Sequence, residues 1–291
     1  MRRPPVGSSN VQCRLSPVVR HQVRLRAQPD PSTPGRVQPR KPLSVPVLPI
    51  WGGQACVLKA RWKQETGHDA MGEHDRVGGG RAALALSRLR PGLWHCAFMG
   101  AWAGIQAYGL QSATRLVDLA KLPTAQGQEL IRAPRPTAER LGLPNGGQAI
   151  LRDQHPLHSR RLAHHLNDVS AEDWLHLLNA RVFLFTHQRH AQELAEVYSA
   201  QGQDVLKLKT ASLLAAYEGQ VEVTTINSGA LPRTAQPSRG RDTFVPLAAF
   251  PAERVAAIQD VTILGGIDRI VPFVTSVVRH RPDGSKHRIW P

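Results

Sequence analysis

The uneven distribution of proline and arginine along the chain constrains its fold more than any other feature of the sequence. Ten of the 23 prolines lie within the first 50 positions. Residues 1–90 carry 16 Lys and Arg against five Asp and Glu, a net charge of +11, whereas residues 91–291 carry only +4. A segment so rich in proline and charge buries too little apolar surface to offset the entropy of ordering its backbone. We therefore predict a disordered, basic tail over residues 1–88 and one folded domain over residues 89–291.

Three explanations for the basic tail remain open. Scattered arginines attract phosphate without a fold, so the tail suits an arm that binds nucleic acid or a membrane surface. Its arginines and few acids also resemble a targeting peptide, although it lacks the apolar core of a secretory signal. In the third explanation the tail is a translated upstream region and Met71 is the true start.

Cysteine use and hydropathy bear on the compartment. The three cysteines, Cys13, Cys56 and Cys96, are too widely spaced for a metal-ligand pair or a disulfide framework. The sequence has no run of about 18 apolar residues, so we expect no segment that spans a membrane and, for the folded domain, no membrane partner. A reducing, cytoplasmic location is the simplest expectation.

Short strands and short helices alternate in the folded part. Strands outnumber long helices and cluster late in the chain, which favours an α+β architecture over a doubly wound sheet. We predict strands over residues 93–97, 181–185, 205–208, 221–226, 257–264, 270–279 and 286–290. We predict helices over residues 101–108, 112–119, 138–141, 170–178 and 188–200.

The segment Leu93-Trp94-His95, followed by Ile105-x-x-x-Gly109-Leu110, has a histidine at the end of a strand and then a helix closed by Gly-Leu. It resembles the opening motif of ADP-ribosyltransferases of the poly-ADP-ribose polymerase and bacterial DNA-modifying toxin types. The resemblance implies a split antiparallel sheet with short helices. It also implies that His95 hydrogen-bonds a ribose hydroxyl and the nicotinamide amide of NAD, which would be the substrate. The alternative is a half-buried strand histidine.

Two later segments extend the resemblance. Arg181-Val-Phe-Leu-Phe185, followed by a helix, is similar to the family's second motif, in which strand aromatics form the wall on which nicotinamide stacks. This implies a cofactor-binding role for Phe183, while for Phe185 the pattern favours a core aromatic on a strand. Asp260, in Ile258-Gln-Asp-Val-Thr-Ile263, matches the catalytic carboxylate that stabilises the oxocarbenium-like ribose. The family has glutamate there, so this side chain is one methylene shorter.

The folded part is also similar to a family of uncharacterised bacterial proteins known only as a domain of unknown function. The matching segments span nearly all of the domain. They are Leu151-Arg-Asp-Gln154, Trp174-Leu-x-x-Leu-Asn179, Arg181-Val-Phe183, Ile226-Asn-Ser-Gly229 and Arg239-Gly-x-x-Thr-Phe244.

Several of these residues suit an anionic ligand. The turn at Asn227-Ser228 can aim backbone N–H groups at an anion. Arg239 and Arg241, separated by a glycine, can hold a pyrophosphate with two guanidiniums. Arg152 either contacts phosphate or caps a helix. Ordinary polar loops remain the alternative for the turn and for the arginine pair.

The histidines do not form a familiar metal site. Four of them cluster at residues 155–165, and His187 and His190 are three residues apart. None has the i, i+4 spacing with a nearby carboxylate that is typical of catalytic zinc, so we expect no metal.

Two functions follow from these patterns. The first is an NAD-dependent ADP-ribosyltransferase-like enzyme with His95 and Asp260 as the catalytic pair and a nucleic acid or protein as acceptor. The second is a non-catalytic domain on the same scaffold that binds a nucleotide or a nucleic acid. The first requires His95 and Asp260 to meet in one cleft.

Overall fold

The computed structural model of the chain describes residues 73–154, 157, 159–231 and 238–291, with side chains from residue 80 onward except those of residues 159 and 160. Most of the predicted tail, up to residue 72, lies outside the described residues, and so do His155 and His158.

Eight α-helices lie within the described residues, and most are short. Their bounds are α1 Glu73–Leu89, α2 Ala101–Tyr108, α3 Ala113–Ala120, α4 Thr124–Arg132, α5 Ser159–Ala163, α6 Ala171–Asn179, α7 Gln188–Val197 and α8 Thr210–Ala216. None of these described helices is long and apolar enough to cross a membrane.

Twelve strands lie in the same part of the chain. They are β1 Gly92–Phe98, β2 Leu110–Gln111, β3 Glu139–Gly142, β4 Gln148–Leu151, β5 Arg181–Phe185, β6 Gln203–Lys209, β7 Val221–Thr224, β8 Val245–Pro246, β9 Asp260–Leu264, β10 Gly266–Ile267, β11 Val274–His280 and β12 Lys286–Trp290. Eight form a sheet in the order β12-β11-β6-β1-β5-β9-β7-β8, with antiparallel neighbours. The prediction of a mixed fold with a large antiparallel sheet is confirmed.

The main core lies on one face of this sheet. Because side chains alternate along a strand, Val182 and Leu184 of β5 point to this face, together with Val261 and Ile263 of β9. Burial of such side chains is the main favourable term in folding. The opposite face carries Trp94, Phe183, Phe185 and Asp260, which belong to the site described below.

The first helix corrects the predicted boundary of the tail. Residues 73–88 were assigned to the disordered tail, but α1 covers Glu73–Leu89. Ala82 and Leu86 are fully buried in the main core, whereas Leu84 is exposed. This single apolar stripe stabilises the helix through tertiary packing rather than through local propensity, which is low at Gly78, Gly79 and Gly80.

The segment predicted as a helix over residues 138–141 is a strand, and that prediction is wrong. β3 pairs with β4 in a hairpin, with Glu139 opposite Leu151 and Gly142 opposite Gln148. Asn145 and Gly146 both have positive φ, at 57° and 76°, as a tight hairpin turn requires. The Asn-Gly pair was the sequence signal for this hairpin.

Helix caps follow the sequence closely. Ser112 accepts a hydrogen bond from the backbone N–H of Arg115 at 3.3 Å, and Ser170 accepts one from Asp173 at 3.0 Å. Both serines thereby satisfy amides at the start of a helix that have no partner within it. The predictions of helices beginning at these two residues are confirmed. The helix predicted over residues 188–200 ends earlier, at Val197, and a 3₁₀ turn follows it.

Candidate functional site

A row of side chains crosses four strands on the face of the sheet opposite the main core. Trp94 of β1 lies opposite Phe185 of β5, Phe185 lies opposite Asp260 of β9, and Asp260 lies opposite Thr224 of β7. Directly opposed residues in antiparallel strands point to the same face. The strand register therefore places the carboxylate of Asp260 beside the aromatic ring of Phe185.

The cleft lies where β1 and β5 meet. β1 pairs with β6 along its whole length, from Gly92 to Phe98. With β5 it forms only one residue pair, Trp94 opposite Phe185, so the two strands separate beyond that pair. The cleft has a volume of about 810 Å³, within the usual range for small-molecule sites. Its lining includes six of the residues predicted from sequence to form the site, namely His95, Arg152, Phe183, Asn227, Ser228 and Asp260, and it also includes Phe185.

His95 bridges the gap between the two strands. Its Nδ1 lies 2.9 Å from the carbonyl oxygen of Phe183. Because a carbonyl can only accept, Nδ1 carries the proton and donates, which leaves Nε2 as an acceptor. The pKa of His95 is lowered to about 4, mainly because the imidazole is buried. The hydrogen bond to Phe183 raises the pKa, and the positive charge of Arg152 lowers it further. His95 is therefore a neutral, oriented imidazole near pH 7.

Asp260 is a nearly buried carboxylate, only 6 % exposed. Its Oδ2 accepts hydrogen bonds from the hydroxyl of Ser228 at 3.2 Å and from the Ser228 N–H at 3.4 Å. Burial raises its pKa to about 6, while these two hydrogen bonds and the nearby His190 act in the opposite direction. Such a carboxyl is mostly ionised at pH 7 and can also accept a proton during a reaction.

Arg239 holds the turn that carries Ser228, and it does not face the cleft. Its guanidinium donates to the backbone carbonyls of Asn227, at 3.0 Å, and of Ala230, and to the hydroxyl of Ser238. Arg239 is only 3 % exposed and is not among the residues that line the cleft. The predicted pyrophosphate contact is therefore corrected, since this guanidinium is used to fix the backbone of the turn.

Arg241 also lies away from the cleft. Its side chain is exposed, and its backbone N–H donates to Oδ1 of Asp168 at 3.0 Å. It begins a 3₁₀ turn, Arg241–Thr243, outside the cleft lining. The structure does not bring Arg239 and Arg241 together on one surface, since one residue is buried and the other is exposed, and neither lines the cleft.

Arg152 is the cation that the structure brings to the cleft. Its guanidinium carbon lies 4.6 Å from the centre of the Phe98 ring and 4.2 Å from that of Tyr198. Nη2 donates to Gln203 Oε1 at 2.7 Å and to the carbonyl of Cys96 at 3.1 Å. Nη1 is buried without a hydrogen-bond partner among the described residues. The rings of Phe98 and Tyr198 hold the guanidinium group in place, and its Nη1 remains available to donate to a ligand.

Asp153 holds one of those rings in place. The Tyr198 hydroxyl donates to the two carboxylate oxygens of Asp153 at 2.8 and 3.0 Å. Arg152 stacks on the ring whose hydroxyl bonds to Asp153, so these adjacent residues act on the same tyrosine. Tyr198 also packs edge-on against Phe98, with ring centroids 5.9 Å apart.

His190 is a cleft residue that the sequence did not single out for this site. It lies in the first turn of α7, lines the cleft and packs edge-on against Phe185 at 6.3 Å. Tyr198 and Asp153 were missed in the same way. Only the tertiary structure brings Tyr198 and Asp153 to Arg152, and His190 to Asp260.

The described residues contain no group of three or more His, Cys, Asp or Glu side chains arranged to hold a metal ion. His187 and His190 lie with ring centroids 5.5 Å apart. No carboxylate or thiol completes a ligand set around this pair within the described part of the chain.

Comparison with known proteins identifies one relationship. The profile of a family described as a family of unknown function, DUF7002, matches residues 91–274. The match contains the cleft residues from His95 to Asp260. No curated protein and no solved structure matches significantly.

Proposed function

The chain belongs to the DUF7002 family, whose function is unknown, and we propose that its cleft binds NAD in the manner of an ADP-ribosyltransferase. The observation that carries the proposal is that His95 and Asp260, far apart in the sequence, line the same cleft. This convergence is what the resemblance to ADP-ribosyltransferases requires.

The cleft has chemical features that fit a dinucleotide. The unpartnered Nη1 of Arg152 is a buried donor beside the cleft, and a diphosphate supplies the charged acceptors that it lacks. Phe183 and Phe185 add apolar aromatic surface to the lining, which suits a flat heterocycle. Together these groups provide a cation for phosphate and aromatic surface for a ring.

His95 has the role of orienting the ribose. Its Nδ1–H donates to the Phe183 carbonyl, so the lone pair of Nε2 can accept a hydrogen bond from a ribose hydroxyl. Its low pKa keeps the imidazole neutral, so it does not add positive charge where the ribose itself becomes positive.

Asp260 has the role of the carboxylate. In the proposed transfer the bond between the ribose C1′ and the nicotinamide nitrogen breaks, and its electron pair leaves with nicotinamide. An acceptor lone pair forms the new bond to C1′, and the acceptor proton passes to Asp260. The carboxylate stabilises the positive charge that develops on the ribose, as in glycoside hydrolysis.

The experiment is nicotinamide release from NAD by the full chain, alone and with DNA, RNA or protein as acceptor. His95→Ala and Asp260→Asn should each lower release at least about tenfold, since removal of one electrostatic or proton-transfer group typically costs 10²–10³ in rate. Asp283→Asn is the matched control, because Asp283 is an exposed carboxylate in the turn between β11 and β12. Equal loss in the control would contradict the assignment.

A second function is favoured by the identity of residue 260. Aspartate is one methylene shorter than the glutamate of the family that it resembles, which favours a domain that binds a nucleotide without transferring it. In that case NAD raises the melting temperature without nicotinamide release, and Arg152→Lys weakens the stabilisation because lysine cannot stack or donate as a planar fork. Release that depends on Asp260 would rule out this alternative.

A further inference from the structure

Four cations lie on one exposed face of the outer sheet. Lys207 and Lys209 belong to β6, and Lys286 and Arg288 belong to β12. All four side chains are exposed. We call these four residues the basic face, and we propose that it binds the phosphate backbone of a nucleic-acid strand.

The strand register places the four cations on the same side of the sheet. Lys207 lies opposite Trp94 of β1, and Lys286 lies opposite His280, which lies opposite Gln203. Arg288 lies opposite Val278, and Val278 lies opposite Val205. Since Gln203, Val205, Lys207 and Lys209 alternate along β6, all of these residues point to one face.

The basic face carries charge that the protein itself does not neutralise. Among the described residues, none of its four cations forms an ion pair. Arg279 contrasts with them: it points to the other face and pairs with the buried Asp204 at 2.7 Å. Two exposed carboxylates lie near the basic face: Glu196, at the end of α7, interacts with His280, and Asp283 lies in the turn before Lys286.

The arrangement favours a polymer over a small anion. Lys286 lies level with Gln203 of β6, because both are opposite His280 of β11. Gln203 and Lys209 are six residues apart along β6, which corresponds to about 20 Å. β6 and β12 are separated by β11, which puts them about 10 Å apart. Cations spread in a diagonal row cannot converge on a single phosphate, whereas a chain of regularly spaced phosphates can meet each in turn.

The same face is poorly suited to a membrane. Peripheral membrane binding combines cations with large apolar side chains that enter the acyl region. The large apolar side chains exposed in the described part of the chain are Leu84, Leu89, Met99 and Val197. None belongs to β6, β11 or β12, and only Val197, at the end of α7, adjoins the Glu196 that lies near the basic face. Trp94 lies on this face but is partly covered by α7, whose Leu194 shares its cluster. A nucleic-acid strand is therefore the occupant that the chemistry favours.

This inference does not rest on the function proposed for the cleft, and its test does not use NAD. Binding of the full chain to fluorescent single-stranded DNA and RNA is measured by anisotropy over a range of salt. The face variant replaces Lys207, Lys209, Lys286 and Arg288 with glutamine. The control replaces four exposed cations outside these strands, Arg88, Lys121, Arg254 and Arg269, with glutamine.

Both variants keep the basic N-terminal segment and lose the same charge, so they differ only in the position of the charge removed. If all four cations contact phosphates, the slope of log K against log salt falls by about three in the face variant and little in the control. Equal loss in both variants would overturn the proposal. A face variant that loses binding to phosphatidylserine vesicles but not to DNA or RNA would also overturn it.

Discussion

Ser228 donates both its hydroxyl and its backbone N–H to one oxygen of Asp260, at 3.2 and 3.4 Å. These bonds lower the pKa of Asp260, but burial outweighs them and the pKa stands at about 6. The balance between burial and the two Ser228 hydrogen bonds thus sets the ionised fraction of Asp260 near neutral pH. Arg239 fixes the turn that carries Ser228 by donating to its backbone carbonyls.

Asp260→Asn is expected to stabilise the fold at alkaline pH. A carboxyl whose folded pKa is raised from 3.8 to about 6 contributes stability at low pH and loses it as pH rises through 6. Above pH 7 the buried charge costs up to about 3 kcal/mol, which the neutral amide avoids. Urea unfolding at pH 5 and pH 8 checks this. A gain that does not grow with pH would contradict it.

Ser228→Ala is expected to move the pH dependence of nicotinamide release. Without the hydroxyl, the pKa of Asp260 rises further above 6, because a bond that favours the charged form is lost. Release should increase with pH through about 6 in the unmodified chain and at a higher pH in the variant. A pH–rate profile from pH 5 to 9 measures both. Ser212→Ala is the control, since Ser212 is a half-buried serine on α8 that does not line the cleft.

Asp204→Asn is expected to destabilise the fold strongly. Asp204 is fully buried, and its carboxylate accepts from Arg279 at 2.7 and 3.0 Å and from the N–H groups of Gly100 and Trp102 at 2.9 and 3.2 Å. Neutralising Asp204 removes the counter-charge of Arg279 in β11 and weakens the bonds to the amides at the start of α2. Because the Arg279 side chain is 26 % exposed, water compensates part of its charge, and we expect a cost of about 2–3 kcal/mol, below the roughly 3–5 kcal/mol typical of a fully buried pair.

Equilibrium unfolding in urea measures this loss. Asp283→Asn should change the free energy of unfolding by less than about 0.5 kcal/mol, as exposed substitutions usually do. A double variant with Arg279→Gln should lose less than the sum of the two single variants, because the two groups share one interaction. Additive losses would contradict the coupling.

Gly109→Ala is expected to disrupt the connection between α2 and β2. Gly109 has φ of +81°, and an added Cβ would lie 2.5 Å from the carbonyl oxygen of Ile267 and 2.7 Å from that of Asp268. Backbone strain of this kind costs about 1–3 kcal/mol, before the clash is counted. Gly142→Ala is the matched control, because its Cβ would meet nothing within 4 Å. Thermal unfolding of both variants tests the difference.

The sequence by itself determined the elements whose signals are local. A short apolar run located β5 at Arg181–Phe185, and the turn signal of Asp283-Gly284 located β12 at Lys286–Trp290. Serine caps located the starts of α3 and α6. These features depend on neighbouring residues along the chain, so they can be read without knowing the fold. The family resemblance likewise identified His95 and Asp260, which line one cleft.

Only the tertiary structure decided which polar groups are free to act. Arg239 and Arg152 are both arginines in polar segments, yet Arg239 donates to the backbone carbonyls of a turn away from the cleft, whereas Arg152 lines the cleft with its Nη1 unpartnered. The sequence also did not predict α1, because the burial of its residues Ala82 and Leu86 depends on a core formed by strands distant in the chain. Hydrogen-bond partners and burial arise from contacts between residues remote in sequence, so local patterns could not reveal them.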